Sequence, residues 1–324
     1  MRHHAILAVC AAMTGTLASA QDADEAEGAA HADNPACAES PWGADDQIGA
    51  ANRLSPELAR TAAELVTEGE VYSLGAEISA NTPAYGGRFF NLTVHETGQI
   101  GLPEGFASNK ATFLDDMYLA YVGVGSQIDG LGHLGIDNVY YNCNEASDFA
   151  KSDGLTRLGI ENVPNMVTRG VLLDMTEQLG SEVLDAGTAF GPEEIRAQAE
   201  AQGTELREGD VVLFHTGWLS LVGEDNERYL SGEPGLSPDG ARFLAELGVI
   251  AVGADKYGVE AIPLPSGTVG EVHQIMLAEN GIYLLENMNT ANLAEDDVHE
   301  FMFVLGPTKV KGGVQALVNP TAIR

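Results

Sequence analysis

The chain has 324 residues, of which 48 are acidic and 16 basic, giving a formal charge of −32 at neutral pH. The acidic groups are spread along its length, and such a surface repels nucleic acid and anionic lipid, which argues against a binder of either. No linker divides the chain after its N-terminal segment, so one large domain, residues 37–324, is expected.

Residues 1–20, MRHHAILAVCAAMTGTLASA, join a basic start, an apolar run from Ala5 to Met13 and a small-residue ending at Ala18-Ser19-Ala20. This pattern predicts a signal peptide cleaved before Gln21, and hence a periplasmic or secreted protein. The run falls well short of the roughly 20 apolar residues of a spanning helix, and no later stretch is apolar enough for membrane insertion. Residues 21–36 are acidic, rich in Ala and poor in large apolar side chains. They cannot bury enough surface to offset their ordering entropy, which predicts a disordered lead-in. Cys37 and Cys143 are then an even pair in an oxidising compartment, and a disulfide tying the N-terminal segment to the core is expected.

In chain order, Pro56 to Glu68 reads as a helix capped by Ser55, with Leu58, Ala62, Ala63, Leu65 and Val66 as its apolar stripe. Val71 to Leu74 follows as a strand. The segment MYLAYVGVGSQIDGLGH, ending at His133, is a β-type apolar run that breaks into a glycine-rich polar loop. Residues 170–174 and 209–215 read as buried strands. Between them, Pro192 to Gln202 opens with an acidic turn suited to a helix dipole. A second helix is predicted over Ser237 to Leu247, then a strand over Val249 to Gly253 leading to Asp255, and a strand over Ile282 to Leu285 ending at Glu286. This alternation argues for an α/β fold, with room for a mixed sheet.

Gln127-Ile128-Asp129 followed by His133 is the densest polar cluster, set among Gly123, Gly125, Gly130, Gly132 and Gly135. In an extended segment residues i and i+2 share a face, so Gln127 and Asp129 can both turn toward one cation. The plainer alternative is that Asp129 caps a turn and His133 is a satisfied core histidine. Asp255, in GADKYG, either lines a site or caps a turn. His95, in NLTVHETG, is either an extra ligand or an ordinary strand histidine, and His215 and Trp218 shape the pocket or the core.

The segment from Gly123 to His133 resembles the signature H-x-G-T-H-x-D-x-x-x-H of the cyclase superfamily, found in bacterial kynurenine formamidases and isatin hydrolases. Asp129 and His133 match it, while Gly123 and Gln127 stand at its first two histidines. The resemblance extends through residues 42–54, Thr168 to Val171, GDVVLFHTGW ending at Trp218, and 273–277. It closes with 283–288 and the final FVLGPTKVKGGVQALVNP. It implies a swivelling β/β/α fold with a mixed sheet core and surrounding helices, assembled as a homo-oligomer, a dimer or tetramer. It also implies that His273 and Glu286 are distal ligands which, with Gln127 and Asp129, hold one divalent metal ion, manganese or zinc. His133 takes the family's acid/base position. The two missing histidines argue against a two-metal centre and against kynurenine formamidase activity itself, and the pattern is similar to the glutamine-containing branch known only as cyclase family proteins.

The resulting expectation is a metal-dependent hydrolase that opens a small cyclic amide, N-formyl amide or lactone, with a metal-activated water as nucleophile and His133 moving the proton. Two alternatives are a metal-dependent dehydratase or cyclase acting on a small carboxylated substrate, and a non-catalytic periplasmic solute- or metal-binding protein.

Overall fold

The computed structural model describes residues 33–324, so the signal peptide expected over 1–20 and most of the lead-in expected over 21–36 lie outside the described residues. The longer strands are β1 (Val71–Ser73), β2 (Phe90–Glu96), β3 (Leu114–Ala120), β4 (Gln127–Asp129), β5 (Met166–Asp174), β6 (Val211–His215), β7 (Ala251–Ala254), β8 (Tyr283–Glu286), β9 (Glu300–Leu305), β10 (Gln315–Leu317) and β11 (Thr321–Ile323). All but β2 and β3 join one nine-stranded sheet in the order β1-β11-β9-β5-β6-β7-β8-β4-β10.

The four central strands, β5 to β8, are parallel, with Gly170 beside Val211, Val211 beside Ala251 and Ala251 beside Tyr283. Their near-continuous Val, Leu and Ala runs are buried on both faces, the pattern of a sheet covered on each side by other layers. Antiparallel strands extend this block: β9 pairs with β5, and β4 pairs with β8 and β10. The mixed α/β architecture expected from the sequence is the one observed.

Helices α1 (Pro56–Ala63), α2 (Pro192–Ala201) and α3 (Pro238–Leu247) start where their caps predict. Ser55 Oγ accepts from Leu58 N in α1, and Ser237 Oγ accepts from Gly240 N in α3. Helix α1 ends before the predicted Glu68. Val66 is exposed and Leu65 only half-buried, so no tertiary packing holds a further turn. Helix α4 (Glu271–His273) runs directly into a π-helical turn, Gln274–Glu279.

Two differences from the sequence expectation bear on function. The apolar run before the site is not a strand of the central sheet: β3 pairs only with β2, in a hairpin whose side chains are largely exposed. The segment expected as a polar loop is itself strand β4, because Ile128 between the two polar residues is fully buried and anchors it in the sheet. The Cys37–Cys143 disulfide is present and joins the N-terminal segment to the body of the fold.

Candidate metal centre

Strand alternation builds the floor of the site. Gln127 and Asp129 point to one face of β4, while Ile128 points to the other. Register then places Glu286 opposite Gln127 and Gln315 opposite Asp129, so four polar side chains from three neighbouring strands share that face. Gln127 Nε2 donates to Glu286 Oε2 at 2.6 Å and to Asp129 Oδ1 at 3.1 Å, and Gln315 Nε2 donates to Asp129 Oδ1 at 2.6 Å. Asp129 is thus gripped by one oxygen only. Its Oδ2 is buried and has no hydrogen-bond partner, and neither has Gln127 Oε1.

Two histidines converge on that free oxygen. After β4 the chain turns at Gly130, whose N–H donates to Val314 O (3.1 Å) so closely that a Cβ would stand 2.6 Å from the same oxygen. The turn brings His133 Nε2 to 3.8 Å from Asp129 Oδ2. His273 ends the short helix α4, which follows Gly270 in the left-handed region (φ 73°), and its Nε2 also lies 3.8 Å from Asp129 Oδ2 and 3.2 Å from Glu286 Oε1. The other ring nitrogen, Nδ1, donates to Glu260 Oε1 at 2.8 Å. Glu260 Oε2 meanwhile accepts from Val272 N, so one carboxylate fixes both the helix start and the ring.

Burial pushes the Glu286 carboxyl up to about 8, the Asp129 charge adds to the rise and His273 opposes it. Burial acts against the charged form of His273, but Glu260 and Glu286 outweigh it and hold that imidazole well above its ordinary value. His133 is lowered, first by burial and then by His273 and Arg88, with Asp129 opposing. A cluster of buried carboxylates with an orphaned oxygen facing imidazole nitrogens is the donor set of a divalent cation, and a cation there would relieve the excess negative charge. Ligand-type atoms of Asp129, His133 and His273 all lie within 4.8 Å of one another. The residues fit such an ion.

The centre opens into a cavity of about 290 Å³. Tyr257, Ile262, Pro263, Leu264 and Val269 form apolar walls, and Tyr85 and Arg88 stand at one side. The Tyr85 and Tyr257 rings stack at 5.6 Å.

Gln127, Asp129, His133, His273 and Glu286 are therefore brought together. The other candidates stand elsewhere. His95 sits in the hairpin opposite Asp115 and does not line the cavity of the metal centre. Asp255 and His215 line a second cavity of about 520 Å³, with Glu77, Asn289 and Thr290. There Asp255 Oδ1 accepts from Thr216 N and Oγ1, and His215 Nδ1 lies 2.8 Å from Thr290 Oγ1. Strand ends of a parallel sheet point to a crevice, and these two residues do reach one, but it is not the crevice of the metal centre. Trp218 is fully buried in a satellite cluster with Leu221 and Tyr229, so it shapes the core rather than the pocket. Glu260, Gln315 and Arg88 also belong to the site and were not among the residues expected from the sequence. Only Gln315 left a trace, as an amide in a short strand close to the chain's end.

The Cyclase family model matches residues 72–261. A crystal structure described as a novel cyclase is 27% identical over 87% of this chain and 96% of its own, with a TM-score of 0.78. Isatin hydrolase A from Ralstonia solanacearum shares the fold at 19% identity, covering 84% of this chain and 98% of its own, with a TM-score of 0.59. An isatin hydrolase bound to the product analogue thioisatinate does so at 18% identity, covering 83% and 98%, with a TM-score of 0.58. No curated protein sequence matches.

Proposed function

The chain belongs to the cyclase family, and we propose that it is a metal-dependent hydrolase opening a small cyclic amide, N-formyl amide or lactone. The observation that carries this reading is the buried, unpartnered Oδ2 of Asp129, facing two imidazole nitrogens at 3.8 Å beneath a cavity of substrate size. Asp129, His273 and Glu286 would hold one divalent ion, manganese or zinc, with the Gln127 amide beside them. When bound, the ion supplies Lewis acidity toward a carbonyl oxygen and toward water.

The remaining tasks fall to the chain. Gln127 and Gln315 fix the Asp129 carboxylate from its other oxygen, and Glu260 sets the His273 tautomer so that Nε2 faces the centre. His133 is the more open of the two histidines, at 24% side-chain exposure against 10% for His273, and burial, by lowering its imidazole, favours the neutral form that can accept a proton. The apolar walls exclude water from the substrate body. The names of the isatin hydrolases that share the fold support C–N bond hydrolysis.

A second reading has its own observation. His133 Nε2 stands as close to Asp129 Oδ2 as His273 Nε2 does, which makes Asp129, His133 and His273 an alternative ligand set. Elemental analysis separates the two. About one manganese or zinc per chain is expected in the wild type and loss of it in Asp129→Ala and His273→Ala. If His133→Ala keeps the ion and loses turnover, His133 moves the proton; if it loses the ion, it is a ligand. A wild type that takes up no divalent ion sinks the hydrolase reading and favours a binding protein.

The disulfide supports export to an oxidising compartment, periplasmic or secreted. The apolar side chains exposed on the hairpin support a homo-oligomer.

A further inference from the structure

Among the described residues lining the cavity of the metal centre, Arg88 is the only Lys or Arg. It follows two glycines in the left-handed region, Gly86 and Gly87, and its Nη1 donates to Tyr85 O at 3.1 Å. No other acceptor among the described residues engages the guanidinium, so Nε and Nη2 are left to solvent or to a ligand. Gly123 makes room for it: a Cβ there would lie 3.2 Å from Arg88 Nε, and the bare backbone lets the guanidinium lie against the rim facing Gln127. Its charge reaches the centre, where it acts on both His133 and Glu286.

We propose that Arg88 anchors a carboxylate on the substrate, so that the substrate class is a small, apolar-bodied acyl compound carrying an anionic group away from its scissile bond. The scissile bond rests on the hydrolase reading above; the anionic anchor does not. A guanidinium presents its donors as a planar fork that matches a carboxylate. Among the described residues Arg88 forms no ion pair. In a chain of charge −32, an anion meets repulsion over most of the surface, and a single unpaired cation at the mouth of an apolar cavity is where it is drawn in.

The test uses two probes of nearly the same shape, benzoate and the neutral benzamide, titrated calorimetrically into the purified full-length protein with and without added manganese. The wild type is expected to bind benzoate about tenfold more tightly than benzamide, the scale of one charge-assisted contact. Arg88→Gln should bring the two probes level, and Arg88→Lys, which keeps the charge without the fork, should retain a smaller preference. The thermal midpoint of each variant checks that it folds. A benzoate preference that survives in Arg88→Gln, as a carboxylate bound to the ion alone would give, overturns the proposal. So does a wild type that shows no preference or binds neither probe. Because no turnover is measured, absence of hydrolysis would sink the hydrolase reading and leave this result intact.

Discussion

Glu260 turns His273 toward the centre: its Oε1 lies 2.8 Å from His273 Nδ1, which leaves Nε2 facing Asp129 and Glu286. A carboxylate on the far nitrogen fixes both ring orientation and tautomer, and raises the basicity of the nitrogen that faces the ion. Glu260→Gln keeps the shape, and its side-chain oxygen still accepts from Nδ1, but the charge is gone. Divalent-ion affinity is expected to fall by roughly 10- to 100-fold. Titration of the metal-free protein with manganese or zinc checks this, and an unchanged affinity would remove His273 from the ligand set.

Gln315 should matter for the same centre by a different route. It fixes Asp129 Oδ1 at 2.6 Å, and without it the carboxylate can rotate and its free oxygen is no longer aimed. Gln315→Leu is expected to weaken ion binding while costing the fold about 1 kcal/mol, the scale of a hydrogen bond to a charged group offset by the apolar replacement. Chemical denaturation read beside metal titration separates the two effects. Loss of stability with intact ion binding would make Gln315 purely structural.

How much of this centre could be read from the sequence depended on whether its contacts were local. Gln127 and Asp129 were legible because two residues apart in a strand means one face, and His133 because glycines crowd the turn before it. His273 and Glu286 became legible only through family resemblance, as nothing near them in sequence indicates a ligand. Glu260 and Gln315 join the site through register and tertiary packing, which no local pattern encodes. The hairpin misled for a physical reason: Met117 to Tyr121 is the continuous apolar run of a buried sheet strand, yet among the described residues no layer covers it. Asp255 and His215 lie at strand ends, as expected, but open on a different cavity.

Acid should loosen the N-terminal segment through Asp46. Burial raises this carboxyl, but hydrogen bonds from Tyr141, the Ile48 backbone, Asn52 and Ser40 together outweigh it and leave the group below its ordinary value. A lowered folded value means that the stabilisation is complete above the unfolded value of about 3.9 and is lost as pH falls through the folded one. Asp46→Asn should therefore melt at a lower temperature than the wild type at pH 7, with the gap closing below about pH 4. Melting curves across that range provide the check, and a gap independent of pH would show that the carboxylate charge is not what holds the segment.

The Cys37–Cys143 bridge closes a sequence separation of 106 residues, and a cross-link of that span restricts the unfolded chain strongly. Cys37→Ser with Cys143→Ser, or reduction of the wild type, is expected to cost about 2–4 kcal/mol. Equilibrium denaturation with and without reductant measures it. Because the bridge lies away from the cavity, turnover of the folded variant should persist at temperatures well below its midpoint.

The hairpin offers the last prediction. Cross-strand pairing of Leu92 with Tyr118 and of Glu96 with Leu114 puts Leu92, Val94, Leu114 and Tyr118 on one face, where all four are more than half exposed. A two-stranded ribbon is marginal by itself in water, and one that presents such a face gains most by covering it with a second copy. Sedimentation of the wild type should therefore give a dimer or tetramer, and Leu92→Glu with Tyr118→Glu should shift it toward monomer. Both side chains lie outside the central sheet, so the main thermal transition of the diluted monomer should stay within a few degrees of a wild type measured at equal dilution. A monomeric wild type, or a double variant that assembles unchanged, would mean that the hairpin face is not the contact between copies.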